Sequence, residues 1–510
     1  MSYNNHVTLQ ELIATMEVTA AEGDLKVEVL DVTDDSRLVR PGSLFVAIKG
    51  EHVDGHRFVS QVQGQGAVGV VVEALSANVP PAQGKSTFPC ITVPNSRKAL
   101  GLLAARLHQT PSSHLTMIGV TGTNGKTTVT HLAKSLLEDN GYSVGLLGTV
   151  GYIFGSHRRV ASHTTPGAVQ LQAMLGEMVE EGADVAVMEV SSHALAMDRV
   201  AGCEFDIVVF TNLTQDHLDY HSTFEQYFLA KQRLFTEFVG NTQKTRPKRA
   251  VINHDDPAAA ELLKACRIPV WTFGIHQSGD IQAEHIQLSM NGTTFSVKTP
   301  CGLLHIHSQL VGEHNVSNML AAIGIGLAMG LAPEVLERQL ASVTNVPGRF
   351  ERIQEGQPFT VVVDYAHTED ALARLLAAAK VIKQGRVITV FGCGGDRDPG
   401  KRPKMGSVAV RESDVVFLTS DNPRTENPDV ILQQIEQGIR ALPVQDRCPY
   451  EVIPDRAQAI KRAIEVAKPG DFVLIAGKGH EDYQIVGTEK IHFDDREVAR
   501  EVIRQRMARA

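Results

Sequence analysis

The chain has 510 residues and a formal net charge of −9, with 43% hydrophobic and 21% charged residues. At about 150 residues per domain, this length implies two to four domains. The acidic balance argues against a nucleic-acid partner, which calls for a basic face, and no apolar run nears the roughly 20 residues of a membrane span.

The six cysteines are scattered, without a CxxC pair. That usage fits reduced thiols in a cytosolic protein better than a disulfide framework or a zinc site. The N-terminus lacks a basic start followed by an apolar core, so no secretory leader is expected. The expected location is the cytoplasm, with no membrane insertion.

The first region, residues 1–110, holds short apolar runs at 43–48 and 67–72 that read as buried strands. A helix is predicted over 96–108, followed by a turn. The second region, 111–346, opens with a strand at 114–120 that ends in a Gly-rich turn. Strands at 185–190, 207–210 and 250–253 alternate with helical segments, the pattern of a parallel sheet covered by helices. From 281 to 307 the residues alternate apolar and polar, predicting an antiparallel patch. The third region, 347–510, repeats the strand–helix alternation, with strands at 360–364, 387–391, 415–419 and 472–476. Each ends in polar or Gly-rich residues, and ligands of open α/β sheets bind at such carboxyl ends. The predicted class is α/β, in three domains.

The segment Thr121-Gly122-Thr123-Asn124-Gly125-Lys126-Thr127-Thr128 follows a strand and opens a helix over 129–138. Its glycines let backbone N–H groups turn onto phosphate oxygens, the helix N-terminus favours negative charge, and Lys126 reaches the β- and γ-phosphates. Thr127 or Thr128 offers a hydroxyl to Mg²⁺. The strict GxxxxGK[ST] pattern fails: its first glycine falls on Val120, with glycines at 119 and 122 instead. The bland alternative is a chance Gly-rich turn, which the flanking strand and helix argue against.

The run GxTGTNGKTT resembles the Mur ligase family, which also includes the folylpolyglutamate synthetases. The resemblance continues through Met188-Glu189-Val190-Ser191-Ser192-His193, the segment from Thr211 through Gln215-Asp216-His217 to His221, Gly312-Glu313-His314-Asn315, and Asp364-Tyr365-Ala366-His367-Thr368. Asp35-Ser36-Arg37 and Pro41-Gly42-Ser43-Leu44-Phe45 are similar to the nucleotide-sugar-binding domain of the family's third-step enzyme. The resemblance implies a UDP-sugar-binding domain, a central P-loop ATPase domain and a C-terminal Rossmann-like domain that brings the incoming amino acid.

It also implies a reaction. The γ-carboxylate of the D-glutamyl residue of UDP-N-acetylmuramoyl-L-Ala-D-Glu attacks ATP, and an amine then displaces phosphate from the acyl phosphate. Anion attacking anion needs cations between them; Lys126 and Mg²⁺ would supply these. Glu189 would hold one Mg²⁺ with Thr128. His217 would ligate a second, although Mg²⁺ prefers oxygen. Lys231 reads by periodicity as a solvated lysine on an amphipathic helix, but the family carries a carbamylated lysine there. Asn315, Arg349 and Asp364 resemble residues that touch ATP. Their plain readings are a helix cap, a surface arginine and a strand-end aspartate.

For the nucleotide substrate the resemblance points to Ser36, His52, Thr164, Thr165, Ser191 and Arg199. Met197 departs from the family pattern, where a polar residue often stands. For the amino acid, Asp421-Asn422-Pro423-Arg424 matches the DNPR of the diaminopimelate-adding members. Read alone it is an ordinary Asn-Pro turn. The fork of Arg424 can bind the extra carboxylate that distinguishes meso-diaminopimelate from lysine, with help from Arg397; Gly477 and Glu481 would bind the distal amine. The alternatives are lysine as substrate, another amide ligase of the superfamily, or a nucleotide switch without ligase activity. A monomer is expected.

Overall fold

The computed structural model describes residues 7–50, 53–73, 87–239, 244, 246, 248–289 and 291–509. His52 lies outside the described residues.

The N-terminal sheet has five strands in the spatial order Ala20–Glu22, Cys90–Val93, Gly69–Glu73, Ser43–Val46, Asp31–Thr33. All neighbours are parallel except the first pair. The helix Ser96–Leu107 lays Ala99, Leu100 and Leu103 on Leu44, Val71 and Ile91 of this sheet.

The central sheet has eleven strands. Its parallel body runs Val144–Gly148, Val185–Glu189, Thr116–Thr121, Ile207–Phe210, Arg249–Asn253, Val270–Gly274. The strand Val185–Glu189 explains the apolar runs of the sequence. Val185 and Val187 join the core under the helices Lys126–Glu138 and Glu313–Ala328, while Ala186 and Met188 join the core under Ala168–Glu180 and Phe224–Thr236. With both faces covered, polar alternation has no place to appear. Three antiparallel strands, Ile281–Ser289, Gly292–Thr299 and Gly302–Ser308, extend the sheet where alternation was expected.

The C-terminal sheet has six strands, ordered Glu351–Ile353, Thr360–Asp364, Phe472–Ala476, Val387–Phe391, Val415–Leu418, Tyr450–Val452. Only the first runs antiparallel to its neighbour. A separate hairpin, Tyr483–Val486 with Glu489–His492, follows. Residues at or just past the strand ends — Asp364, Gly394, Asp421 and Gly477 among them — line two adjoining cavities facing the central domain.

Candidate active site

The phosphate loop is held open by its neighbours. Gly125 has φ +88°, and a Cβ there would stand 2.4 Å from Asn318 Oδ1, so only glycine fits. Thr211 Oγ1 and Asn212 Nδ2 donate to the Asn124 carbonyl, and the Asn124 N–H donates to Asn212 Oδ1. Lys126 Nζ folds back onto the carbonyls of Gly122 and Thr123, at 2.9 and 2.8 Å.

Glu189, at the end of its strand and 1% exposed, is the hub of the phosphate side. Its Oε1 accepts from the Thr127 hydroxyl at 3.0 Å and the Thr149 N–H at 2.8 Å; its Oε2 accepts from the Thr149 hydroxyl at 3.0 Å. The sequence reading paired Glu189 with Thr128. The structure brings Thr127 to it instead, because the first helical turn aims the residue directly after Lys126 at this strand. Thr149 carried no signal in the sequence and was missed. Its hydroxyl also meets that of Thr164, at 3.1 Å.

Lys231 is not the solvated lysine of its helical pattern. It is 2% exposed, donates to the Gly122 carbonyl at 2.9 Å and lies 4.5 Å from the centre of the Tyr227 ring. Burial, reinforced by Lys126, drives its amine well below the usual lysine range. His217 adopts a left-handed backbone, φ +55°, and packs edge-on to His193 at 4.7 Å. Burial pushes its imidazole down to about 3. Among the described residues, no three His, Cys, Asp or Glu side chains converge as a metal site. The Thr127 hydroxyl and the Glu189 carboxylate nevertheless form a pair of hard oxygens suited to Mg²⁺.

From the C-terminal domain, Arg349 Nη2 donates to Thr127 Oγ1 at 2.9 Å, with its guanidinium 4.5 Å from the Tyr365 ring centre. Asp370 accepts from Asn124 Nδ2 at 3.0 Å. Asn315 and Asp364 line the same cavity of about 190 Å³, together with residues 123–128, Glu189 and Arg349. Burial pushes the Asp364 carboxyl up, while it accepts the N–H groups of Phe350 and Ala366. Gly122 contributes its carbonyl to Lys126 and Lys231 rather than a face of the cavity.

A second cavity, of about 530 Å³, adjoins the first. The two share Thr149, Thr164, Asp216, His217, Tyr365 and His367. Ser191 and Arg199 line its central-domain side. Thr165 does not: fully buried, it donates to the Glu189 carbonyl at 2.8 Å and accepts from the Ser191 N–H, and so shapes the wall from behind. Met197 meets Arg199 through its sulfur, at 3.3 Å. Ser36 is buried in the N-terminal domain, apart from both cavities.

The opposite wall carries Arg397, Asp421, Asn422, Arg424, Gly477 and Glu481. Pro423 stands behind it, its carbonyl accepting from Glu426. Arg424 has φ +51°, a conformation held by backbone bonds to Ile485 and Gly487 in the following hairpin. Its Nη1 donates to the Gly395 carbonyl at 2.7 Å. A Cβ on Gly394 would come within 2.9 Å of that nitrogen. The sequence reading missed Lys478, which is fully buried and knits the wall together. It donates to Asn422 Oδ1 and the Tyr483 carbonyl and lies 3.1 Å from Asp421 Oδ1 and 3.7 Å from Glu481 Oε2. Burial opposes ionisation of Asp421, but Lys478 and Arg456 outweigh it and hold the carboxyl below its usual range. Burial and the nearby Asp421 push Glu481 up.

A phosphate loop with an acidic hub, opening directly onto a polar cleft walled by a third α/β domain, defines a nucleotide-driven enzyme that acts on an acceptor held beside the nucleotide. Three family descriptions match: "Mur ligase family, catalytic domain" over residues 29–108, "Mur ligase middle domain" over 120–326, and "Mur ligase, glutamate ligase domain" over 348–479. The chain belongs to the Mur ligase family. It is 47% identical to the UDP-N-acetylmuramoyl-L-alanyl-D-glutamate--2,6-diaminopimelate ligase of Geobacillus thermodenitrificans, covering 94% of this chain and 96% of that one. It is 48% identical to the enzyme of the same name from Thermosynechococcus vestitus, covering 98% and 99%. A solved structure of an enzyme of that name superposes with a TM-score of 0.69 at 33% identity, covering 98% and 99% of the two chains. MurF from Acinetobacter baumannii, at 21% identity and a TM-score of 0.62, shares the fold.

Proposed function

We propose that this chain joins meso-diaminopimelate to the D-glutamyl γ-carboxylate of UDP-N-acetylmuramoyl-L-Ala-D-Glu, using ATP, in peptidoglycan precursor synthesis. The observation that carries the reading is the second cavity: Arg424, Asp421 and Asn422 face a space that shares six residues with the phosphate cavity. The reading includes a cytoplasmic, monomeric enzyme and domain boundaries near residues 110 and 346.

ATP lies in the first cavity, its phosphates on the loop N–H groups and Lys126, with Asn315, Arg349 and Asp364 as further contacts. The dipeptide end of the nucleotide substrate enters past Thr164, Ser191 and Arg199; its UDP end extends toward Ser36 and His52. The carboxylate attacks the γ-phosphorus and ADP departs, leaving an acyl phosphate. The amine then attacks the acyl carbon, phosphate leaves, and the new amide nitrogen sheds its surplus proton. Mg²⁺, when bound, supplies positive charge among the phosphate oxygens; Thr127 and Glu189 would hold one ion, His217 and a carbamate on Lys231 a second. The depressed basicity of Lys231 supports the carbamate, since only a neutral amine adds CO₂, releasing one proton. Thr128 lines the same cavity beside Thr127, whose hydroxyl is the one that meets Glu189.

Specificity follows from the far wall. Arg424 pairs the distal carboxylate of diaminopimelate, while Glu481, Asn422 and the Gly477 backbone surround the distal ammonium. Lysine would leave Arg424 unpaired and bring an ammonium toward it. ADP release measured with diaminopimelate and lysine in parallel tests the reading. Release with neither amino acid would defeat it.

A further inference from the structure

We infer that His480 is the hydrogen-bond acceptor that receives the reacting amino group of the incoming amino acid. The inference rests on the ligase reading above and deepens it.

The loop Gly477–Glu481 was expected to serve the distal amine alone. His480 instead sits where the two halves of the reaction meet. Its ring lies 5.2 Å from that of Tyr365 and against the backbone of Thr149, the residue whose N–H and hydroxyl hold Glu189. It lines the same cavity as Thr149 and Thr164 on the central side and Arg424 and Glu481 on the amino-acid side. An amine anchored at its far end by Arg424 and Glu481 must pass this point to reach a carboxyl acylated beside Glu189.

The backbone that carries the ring is held in place. A Cβ on Gly348 would overlap the His480 N–H, at 2.1 Å, so the Gly348 turn and the His480 backbone are packed against each other. Arg496 Nη2 donates to the His480 carbonyl at 3.4 Å. Two of the residues lining this cavity carry a buried side-chain atom without a hydrogen-bond partner: Asp421, at Oδ1, and His480, at Nδ1. Asp421 Oδ1 has the Lys478 ammonium at 3.1 Å. The His480 ring donates to the Thr149 backbone, so its second nitrogen keeps a lone pair, and a buried polar atom left without a partner calls for a ligand. Burial, Arg349 and Arg496 hold the imidazole down to about 3, so at neutral pH it is uncharged and has a lone pair to offer. A neutral acceptor suits this place: it orients an amine without repelling it and adds no charge beside the phosphates.

The test compares His480→Ala, His480→Asn and His480→Gln, because an asparagine amide falls near the position of Nδ1 and a glutamine amide near that of Nε2. Two rates are measured: ADP release with diaminopimelate, and β,γ-bridge oxygen exchange in ATP with the dipeptide substrate but no amino acid. Exchange reports acyl phosphate formation alone and doubles as the check on folding. The expected result is a tenfold or greater fall in kcat/KM for diaminopimelate in the alanine and glutamine variants, partial recovery in the asparagine variant, and exchange within twofold of wild type in all three. Exchange that falls in step with turnover would overturn the inference, placing His480 with Thr149 on the phosphate side. So would wild-type kinetics in all three variants. Wild-type enzyme that is silent with diaminopimelate would overturn the underlying ligase reading, and this inference with it.

Discussion

At the scale of single residues, the sharpest expectation concerns Arg424. A charge-assisted hydrogen bond is worth about 1.5–3 kcal/mol, or about 10- to 150-fold in affinity. Arg424→Ala therefore raises the KM for diaminopimelate by roughly that factor, and the KM for ATP stays within twofold; equal shifts in both would remove Arg424 from the amino-acid site. Lys231→Ala loses most activity and regains part of it with formate or acetate, which return carboxylate oxygens to the vacated space; full activity without rescue would exclude a carbamate. Thr127→Val is more damaging than Thr128→Val, since the Thr127 hydroxyl meets Glu189 and Arg349. Comparable losses would contradict that order. These cases also show how far a sequence reads. Lys126, Glu189 and Arg424 were legible because each sits in a motif at a strand end. Lys231 was legible only by resemblance, because a helical pattern cannot show that one lysine points inward. Lys478 and Thr149 were not legible: their importance lies in partners 40 to 60 residues away in sequence, Glu189 for one and Asp421 for the other.

At the scale of elements, the parallel strands were easiest to place. Continuous apolar runs buried on both faces mark them, and 207–210, 360–364, 387–391 and 472–476 fall where the runs do. Short strands such as Glu28–Val29 and the hairpin Tyr483–Val486 with Glu489–His492 went unread, since two to four residues carry no usable period. The hairpin matters, because it pins the backbone of Arg424. The last two helices are joined by a buried pair: Arg456, opening Arg456–Val466, donates twice at 2.7 Å to Asp495, opening Asp495–Met507, and both side chains are fully buried. Arg456 also donates to the Ala476 carbonyl, the last residue of the strand that leads into Gly477. Removing one partner of such a pair costs about 3–5 kcal/mol. Asp495→Ala should lower unfolding stability by that amount in urea titration; a change within about 0.5 kcal/mol, the range of an ordinary surface substitution, would contradict the buried-pair account.

At the scale of the whole molecule, the two adjoining cavities lie between the central and C-terminal domains. Arg349 on Thr127, Asp370 on Asn124 and Lys404 on Gln215 tie the C-terminal domain to the central one. The nucleotide loop and the amino-acid wall are thereby held on one cleft. Closure of such a cleft would shield an acyl phosphate from hydrolysis by bulk water. The central claim is that this cleft selects a diamino acid bearing a distal carboxylate and couples it to ATP. The most direct test is ADP release with ATP, Mg²⁺ and UDP-N-acetylmuramoyl-L-Ala-D-Glu, adding meso-diaminopimelate or L-lysine in parallel. The account predicts turnover with diaminopimelate and essentially none with lysine. Equal turnover with lysine would contradict it.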